Sequence, residues 1–247
     1  MNFKLFISIP ITSFLFVSCV AQQSLAPKET KAINIETRIN ENKIAEANVS
    51  SIAKEISFIK KDEIVNDSTF VNLKDYSSDF VYNMKYATAD NFLKTKVYDC
   101  EACYLRYKTV KALIKANEKF MKKGYKMMLF DCYRPLDIQK KMWQIVSNPN
   151  YVADPKKGSI HNRGGAVDIS LVDSNGKELD MGTPFDFFGI EASHDYENLS
   201  DEVKENRRTL RKIMTRSGFK IFESEWWHYN LKNAKKENIS NFKWKCD

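Results

Sequence analysis

The feature that most constrains this chain is an aspartate placed inside an apolar segment. Residues 166–172, AVDISLV, are mostly β-branched or aliphatic and are followed by the turn-forming sequence DSNG, a pattern typical of a β-strand. A carboxylate buried on such a strand is costly unless it is paired or binds a metal. The fold must therefore bring a compensating partner to Asp168.

The first residues are typical of export rather than of a folded domain. A lysine precedes an apolar run too short to span a bilayer comfortably, so residues 1–18 are predicted to be a secretory signal. Its ending, FVSC, resembles a bacterial lipobox and predicts lipidation of Cys19, with attachment to the membrane; cleavage after Ala21 is the alternative. Both predict an exported protein, in the periplasm or anchored in the cell envelope.

The remainder divides into a polar segment and one domain. Residues 19–67 are rich in Lys, Glu, Asn and Ser and are predicted to form a tether. The folded domain is predicted over residues 68–247. Loss of residues 1–18 removes one lysine and lowers the formal charge from +7 to +6. Because the charges are mixed along the chain, nucleic-acid binding is not expected, and no oligomeric state is predicted.

Hydrophobic periodicity and capping residues predict alternating helices and strands without a regular βαβ order. This mixture favours an α+β fold. The predicted elements are a helix at 104–123, a strand at 125–130, a helix beginning at Pro135, the strand at 166–172, a helix from Ser200 to Gly218 and a strand at 219–231.

Four cysteines lie beyond Cys19, at Cys100, Cys103, Cys132 and Cys246. Disulfides are expected in an exported protein, and four cysteines allow three complete pairings, all of which stay open here. The Cys-x-x-Cys spacing is also compatible with a redox or structural zinc site. No second motif of that kind accompanies it, so disulfides or buried thiols are favoured.

Two of the three histidines belong to a possible metal site. His161 precedes Asp168 by seven residues, and His228 follows Glu225 by three. Two histidines and a carboxylate are a ligand set suited to catalytic zinc, and Glu225 is a candidate general base. The alternative is that each histidine is a hydrogen-bonded core residue.

Regular strand geometry opposes this role for Glu225. Side chains three residues apart on a strand point to opposite faces. Glu225 and His228 therefore converge only where the strand ends, bends or bulges, and Glu223 has the same difficulty.

Several motifs resemble the zinc D,D-peptidase superfamily, and within it the VanX-type D-alanyl-D-alanine dipeptidases. The resemblance covers about residues 70–232 and leaves out the polar leader, the Cys100 and Cys103 pair and the tail at 232–247. The motifs are SIHNRGGAVD from Ser159, ATADNF from Ala87, DCYRP from Asp131, MGTPFDF from Met181, NRR from Asn206 and EWWHY from Glu225.

The resemblance implies a fold, a reaction and a set of residue roles. It implies a single α+β domain with a central, mostly antiparallel sheet flanked by helices, as in Hedgehog and D,D-peptidase domains. It also implies one Zn²⁺ per chain and hydrolysis of a small D,D-dipeptide, D-Ala-D-Ala, in peptidoglycan turnover. The implied roles are metal binding by His161, Asp168 and His228, acid–base catalysis by Glu225, transition-state stabilisation by Arg134, and substrate binding by Asp186 and Ser159.

Two other functions stay open at this point. A peptidoglycan D,D-carboxypeptidase or endopeptidase would use the same zinc site without requiring a free amino terminus. A non-catalytic zinc module, as in vertebrate Hedgehog signalling domains, is less favoured because Glu225 and Arg134 are both present. The third histidine, His194, is predicted to be structural or to lie behind the site.

Overall fold

The computed structural model describes residues 65–246 and four upstream helical positions, Lys43, Ile44, Glu46 and Val49. The chain separates into two compact units, Met1–Ile52 and Ala53–Asp247, and the strands and helices named below belong to the second. The predicted signal at 1–18 and nearly all of the predicted tether at 19–67 lie outside the described residues. Within the described part, no helix combines the length and apolarity needed to cross a bilayer.

The second unit mixes short strands with three α-helices. In chain order they are β1 (Phe70–Asn72), β2 (Val81–Tyr82), β3 (Tyr104–Arg106), α1 (Tyr107–Met121), β4 (Lys126–Asp131), α2 (Leu136–Ile145), β5 (Ala166–Val172), α3 (Asp201–Arg216), β6 (Phe219–Phe222) and β7 (Glu225–Leu231).

A five-stranded sheet in the order β2-β4-β5-β7-β6 forms the centre, and β1 pairs with β3 in a separate ribbon. Only the β2–β4 pair is parallel; the other pairs are antiparallel. The predicted α+β class and the mostly antiparallel sheet are confirmed. β5 lies at the middle of the sheet and is buried along its whole length, which places Asp168 where its charge needs partners.

Helices α1 and α3 pack close to the sheet. In α1, the buried Asn117 donates to the Asp79 carbonyl and accepts from the Met127 amide, which ties the helix to β4. The Ser200 hydroxyl accepts from the Val203 amide at 3.2 Å, which confirms the predicted N-cap of α3.

Two predicted boundaries are wrong. Residues 104–106 are not helical but pair with β1 as β3, so the helix begins at Tyr107. The single strand predicted at 219–231 is two antiparallel strands, β6 and β7, which reverse direction at Glu223 and Ser224. Hydrophobic alternation is the same on both arms of a hairpin, so it does not reveal where the chain turns.

Two disulfides resolve the open cysteine pairing. They join Cys100 to Cys246 and Cys103 to Cys132, so the Cys-x-x-Cys residues bind different partners. The first bridge holds the C-terminal tail. That tail also lies along the segment after β4, because the Leu136 amide donates to the Ser240 carbonyl at 3.1 Å. Both bridges constrain the unfolded chain and so favour the folded state.

Candidate metal centre and active-site cleft

The three predicted metal ligands come together at the centre of the sheet. Asp168 on β5 lies directly opposite His228 on β7, and His161 begins a single 3₁₀ turn just before β5. One potential ligand atom from each lies within 4.8 Å of the others. The turn depends on Gly164, whose φ is +70° and whose added Cβ would lie 2.5 Å from Phe70.

The hydrogen bonds around the cluster fit a bound cation. His161 Nδ1 lies 2.7 Å from the Cys132 carbonyl oxygen, which only accepts, so Nδ1 carries the proton. His228 Nε2 donates in the same way to Asn230 Oδ1 at 3.0 Å. The remaining nitrogens, His161 Nε2 and His228 Nδ1, are 3.2 Å apart and turn their lone pairs toward each other and toward Asp168. Three electron-pair donors converging in this way suit a metal ion.

Charge reinforces the cluster. Burial alone would raise the pKa of Asp168, but the two histidines lower it below its usual value. His228 Nδ1 lies 2.9 Å from Asp168 Oδ1, and His161 Nε2 lies 3.4 Å from Asp168 Oδ2. The carboxylate is therefore ionised, as a metal ligand must be.

Glu225 reaches the metal cluster through a bulge. Ile221 pairs with Tyr229 and the next residue, Phe222, pairs with Glu225, so β7 carries three extra residues between these two pairs. This irregularity supplies the bend that a regular strand lacks. Glu225 Oε2 lies 3.8 Å from His228 Nδ1. Burial raises the pKa of the Glu225 carboxyl, which favours proton exchange closer to neutral pH.

Arg134 is held rigidly at the same cleft. Its Nη2 and Nε donate to Asp131 Oδ2 at 2.6 and 3.2 Å, and its Nη1 donates to Gln139 at 3.1 Å. Although burial opposes the charged form, Asp131 raises the pKa of Arg134 above its usual value. Asp131 also accepts from Tyr98 at 2.8 Å. The guanidinium is therefore a fixed, permanent cation.

Ser159 belongs to a network that joins the metal-ligand turn to Arg134. Asn162 Oδ1 accepts from the Ser159 amide at 2.7 Å and from its hydroxyl at 3.1 Å. The Asn162 side-chain amide donates to the Arg134 carbonyl at 2.8 Å. Asn162 thus positions both Ser159 and Arg134.

Asp186 provides a second, separate carboxylate in the cleft. Its φ is +61°, an uncommon conformation for a non-glycine residue that turns the side chain inward. Tyr86 donates to both carboxylate oxygens, at 3.2 and 3.0 Å. Burial, and then the charge of Asp168, raises the pKa of Asp186 well above its usual value. A ligand cation placed here would restore its ionised form.

All seven predicted site residues line one cleft of about 300 Å³. Aromatic side chains, including Tyr151, Phe188 and Trp227, cover its apolar walls. His194 lines a different pocket, in agreement with the prediction that it is not a ligand.

Sequence reasoning gave no role to Asp131, Gln139, Asn162 or Tyr86. Asp131 could have been found, because it ends the apolar strand KMMLFD and so presents the same burial cost as Asp168. Gln139, Asn162 and Tyr86 carry no comparable signal. Asn162 also binds Arg134, 28 residues away, and Tyr86 binds Asp186, 100 residues away.

Comparisons with known proteins show the family of this chain. Residues 66–245 match the peptidase M15 family model, described as D-ala-D-ala dipeptidase. The chain is 37% identical over 172 residues to the D-alanyl-D-alanine dipeptidase of Escherichia coli (strain K12), an alignment that covers 69% of this chain and 89% of that protein. It is 32% identical over 176 residues to the D-alanyl-D-alanine dipeptidase of Enterococcus faecium, with 62% and 86% covered. Among solved structures, the LdcB LD-carboxypeptidase aligns with 24% identity and a TM-score of 0.37 over 54% of this chain and 62% of that one.

The family model and the two dipeptidase relatives first define a class, the metallopeptidases, which the candidate metal cluster fits. More narrowly, the chain belongs to the peptidase M15 family of D-ala-D-ala dipeptidases. The family match extends to residue 245, so the prediction that the tail after residue 232 lies outside the shared pattern is wrong. The tail contacts explain this, because the Ser240 amide donates to the Asn162 carbonyl at 2.9 Å.

Proposed function

We propose that this protein is a zinc-dependent dipeptidase that hydrolyses D-alanyl-D-alanine to free D-alanine. The observation that carries the proposal is the convergence of the ligand cluster, Glu225, Arg134 and Asp186 on one cleft. Relatives named D-alanyl-D-alanine dipeptidase support this choice of substrate.

The donor set favours Zn²⁺ as the metal. Two imidazole nitrogens and one carboxylate oxygen, from His161, His228 and Asp168, match catalytic zinc sites that keep one position open. When bound, zinc polarises the scissile carbonyl and lowers the pKa of water. His161 and His228 are held for this role by the Cys132 carbonyl and Asn230. We propose one ion per chain.

Glu225 moves the proton. Its carboxylate takes a proton from the attacking water and delivers it to the nitrogen of the departing D-alanine. Burial makes this carboxyl a better base than an exposed one. The β7 bulge keeps it beside His228, at the position where the carbonyl carbon is attacked.

Arg134 stabilises the oxyanion that forms during this attack. Its guanidinium is fixed by Asp131 and Gln139 before the substrate enters, so little reorganisation accompanies the reaction. A cation held in a low-dielectric site is among the larger contributions to catalysis.

Asp186 and Ser159 orient the dipeptide. Asp186, with Tyr86 behind it, binds the free ammonium group, whose charge restores the ionised carboxylate. Ser159, which is held by Asn162, lines the same cleft and presents its hydroxyl near the dipeptide. A requirement for the ammonium group excludes N-blocked and longer peptides, which separates this function from a carboxypeptidase or endopeptidase.

We further propose that the protein works in the cell envelope, during peptidoglycan turnover. The export signal predicted at 1–18 and the lipobox-like sequence ending at Cys19 support export, with a lipid anchor at Cys19. In that location the enzyme would recover D-alanine from wall fragments, since cytoplasmic precursor pools are out of its reach.

The deciding experiment measures D-alanine release by zinc-loaded protein lacking residues 1–18. D-Ala-D-Ala is compared with its N-acetyl derivative, with and without a chelator. We expect chelator-sensitive cleavage of the free dipeptide alone. Equal cleavage of both substrates would assign a carboxypeptidase, and no cleavage by folded, zinc-loaded protein would contradict the catalytic proposal.

A further inference from the structure

A second pocket lies against α3, apart from the active-site cleft. Its volume is about 180 Å³, and none of its lining residues lines the cleft. Four cationic side chains line it against two carboxylates, those of Asp195 and Glu197. The cations are Lys204, Arg207, Arg208 and Arg211, and His194 completes the polar lining.

The cations share one face of the helix. Cationic residues recur along α3 at intervals of three or four positions, so their side chains are neighbours. They are Lys204, then Arg207 or Arg208, and then Arg211. Like charges at this spacing repel each other. An anion between them would turn this repulsion into attraction.

Two of the four cations form no ion pair with any described residue. Arg208 pairs with Glu205. Lys204 and Arg211 form no ion pair within residues 65–246, so their charge is available to a ligand.

Arg207 contributes charge, but its guanidinium is already hydrogen-bonded within the protein. Its guanidinium donates to the carbonyls of Met181, Ser193 and Glu191 at 2.7, 3.1 and 2.9 Å. These contacts hold its charge in place beside the pocket.

His194 adds a polar atom without a partner. Its Nε2 is buried and has no hydrogen bond to any described residue, whereas buried polar atoms are normally paired. Its ring packs on Tyr229, with centroids 6.1 Å apart. Burial, then the charges of Arg211 and Arg207, lowers the pKa of His194 to about 4, while Asp195 opposes this shift. The ring is therefore neutral and adds no positive charge of its own to the pocket.

We propose that this pocket binds the phosphate group of a small ligand, with Lys204 and Arg211 supplying charge and the ring of His194 lining the pocket beside them. Several cations around a compact oxoanion are the usual arrangement for phosphate recognition. The His194 amide donates to the Glu223 carbonyl at 2.9 Å. His194 is therefore tied to the turn that leads into Glu225.

The first test titrates the metal-loaded protein with inorganic phosphate against chloride at equal ionic strength. Binding is followed by calorimetry and by the ring NMR signals of His194, one of three histidines. We expect saturable shifts of His194, and an Arg211→Gln variant that binds about tenfold more weakly. The matched control is Lys212→Gln, which removes the same charge from an exposed position of α3 outside the pocket.

The outcomes separate this pocket from the metal centre. Phosphate that reaches the metal shifts His161 and His228 and is insensitive to Arg211→Gln. A His194 signal that does not move, or equal weakening in both variants, would overturn the proposal.

A second titration, with the diester glycerophosphoglycerol, identifies the source of the phosphate group. Binding of both ligands indicates phosphate within a polymer or lipid headgroup, and binding of inorganic phosphate alone indicates the free ion. None of these readouts depends on peptidase activity, so the result is independent of the proposed reaction.

Discussion

His228 and His194 lie near opposite faces of the same strand, in electrostatic environments of opposite sign. His228 is surrounded by Asp168 and Glu225, and it belongs to a cluster that could hold a cation. His194 packs on Tyr229, the next residue of β7, whose side chain points the other way. Its neighbours are arginines. The same residue type therefore lies in a candidate metal-binding cluster on one face and beside cationic side chains on the other.

The comparison shows that the role of a histidine follows from its neighbours. Each imidazole has one nitrogen to donate and one to accept, and the surroundings decide which is used. On the cleft side, a carbonyl and an amide oxygen take the outer N–H groups of His161 and His228. On the other side, His194 Nε2 has no partner among the described residues.

Removal of a metal ligand gives the largest expected difference between the two faces. His161→Ala deletes a donor from the three-ligand cluster, so zinc binding and dipeptide hydrolysis should fall to background. His194→Ala should keep both. The measurement is bound zinc per chain with turnover. Loss of zinc from the His194→Ala variant would show that metal binding depends on the histidines of both faces.

Removal of the base should separate chemistry from metal binding. Glu225→Gln keeps the size of the side chain but not its basicity, so kcat should fall by about 10²–10⁴-fold while zinc stays bound. Glu223→Gln, at an exposed position of the adjoining turn, is the control and should behave as wild type. Turnover and metal content are measured on the same samples. Normal kcat for Glu225→Gln would assign the base to another group.

Arg207 connects the two faces. It holds three carbonyls of residues 181–193, the segment that carries Asp186 at φ +61°. Arg207→Gln should loosen this segment and raise KM for D-Ala-D-Ala by about tenfold, with a smaller change in kcat.

Two controls make the Arg207 prediction specific. Arg208→Gln alters the exposed neighbour, whose partner is Glu205, and should leave KM unchanged. Selectivity for the free dipeptide over its N-acetyl derivative should decrease only in the Arg207 variant. A lower kcat with an unchanged KM in the Arg207→Gln variant would mean that Arg207 does not position Asp186.

The ligand cluster was predictable because each part has a local or compositional cause. Asp168 is anomalous on its strand, and histidine is rare in this chain. The resemblance to the D,D-peptidases supplied Arg134, Asp186 and Ser159, which spacing alone did not indicate.

Other features depend on contacts between separate elements and have no signal within one element. The β7 bulge is visible only from the pairing of β7 with β6. The disulfide partners follow from the path of the tail and of β4. The pocket on α3 forms where His194 lies beside a helix that begins at Asp201. Hydrophobic periodicity does not predict this contact.

The smallest expected effect concerns the pH dependence of stability. The pKa of His194 falls from its usual 6.5 to about 4 on folding, because of burial and nearby arginines. Between these pH values the unfolded chain binds more protons than the folded one, so this histidine lowers the free energy of unfolding as pH falls from 6.5 to 4. After allowance for partial exposure, the loss should be about 2 kcal/mol.

His194→Gln removes the titrating group, so the variant should lose correspondingly less stability over this range. Urea unfolding of both proteins at pH 7 and pH 4.5 measures the difference, in which effects of metal release common to both cancel. Parallel pH profiles would show that folding does not lower the pKa of His194. Phosphate should reduce the wild-type loss if the pocket binds it.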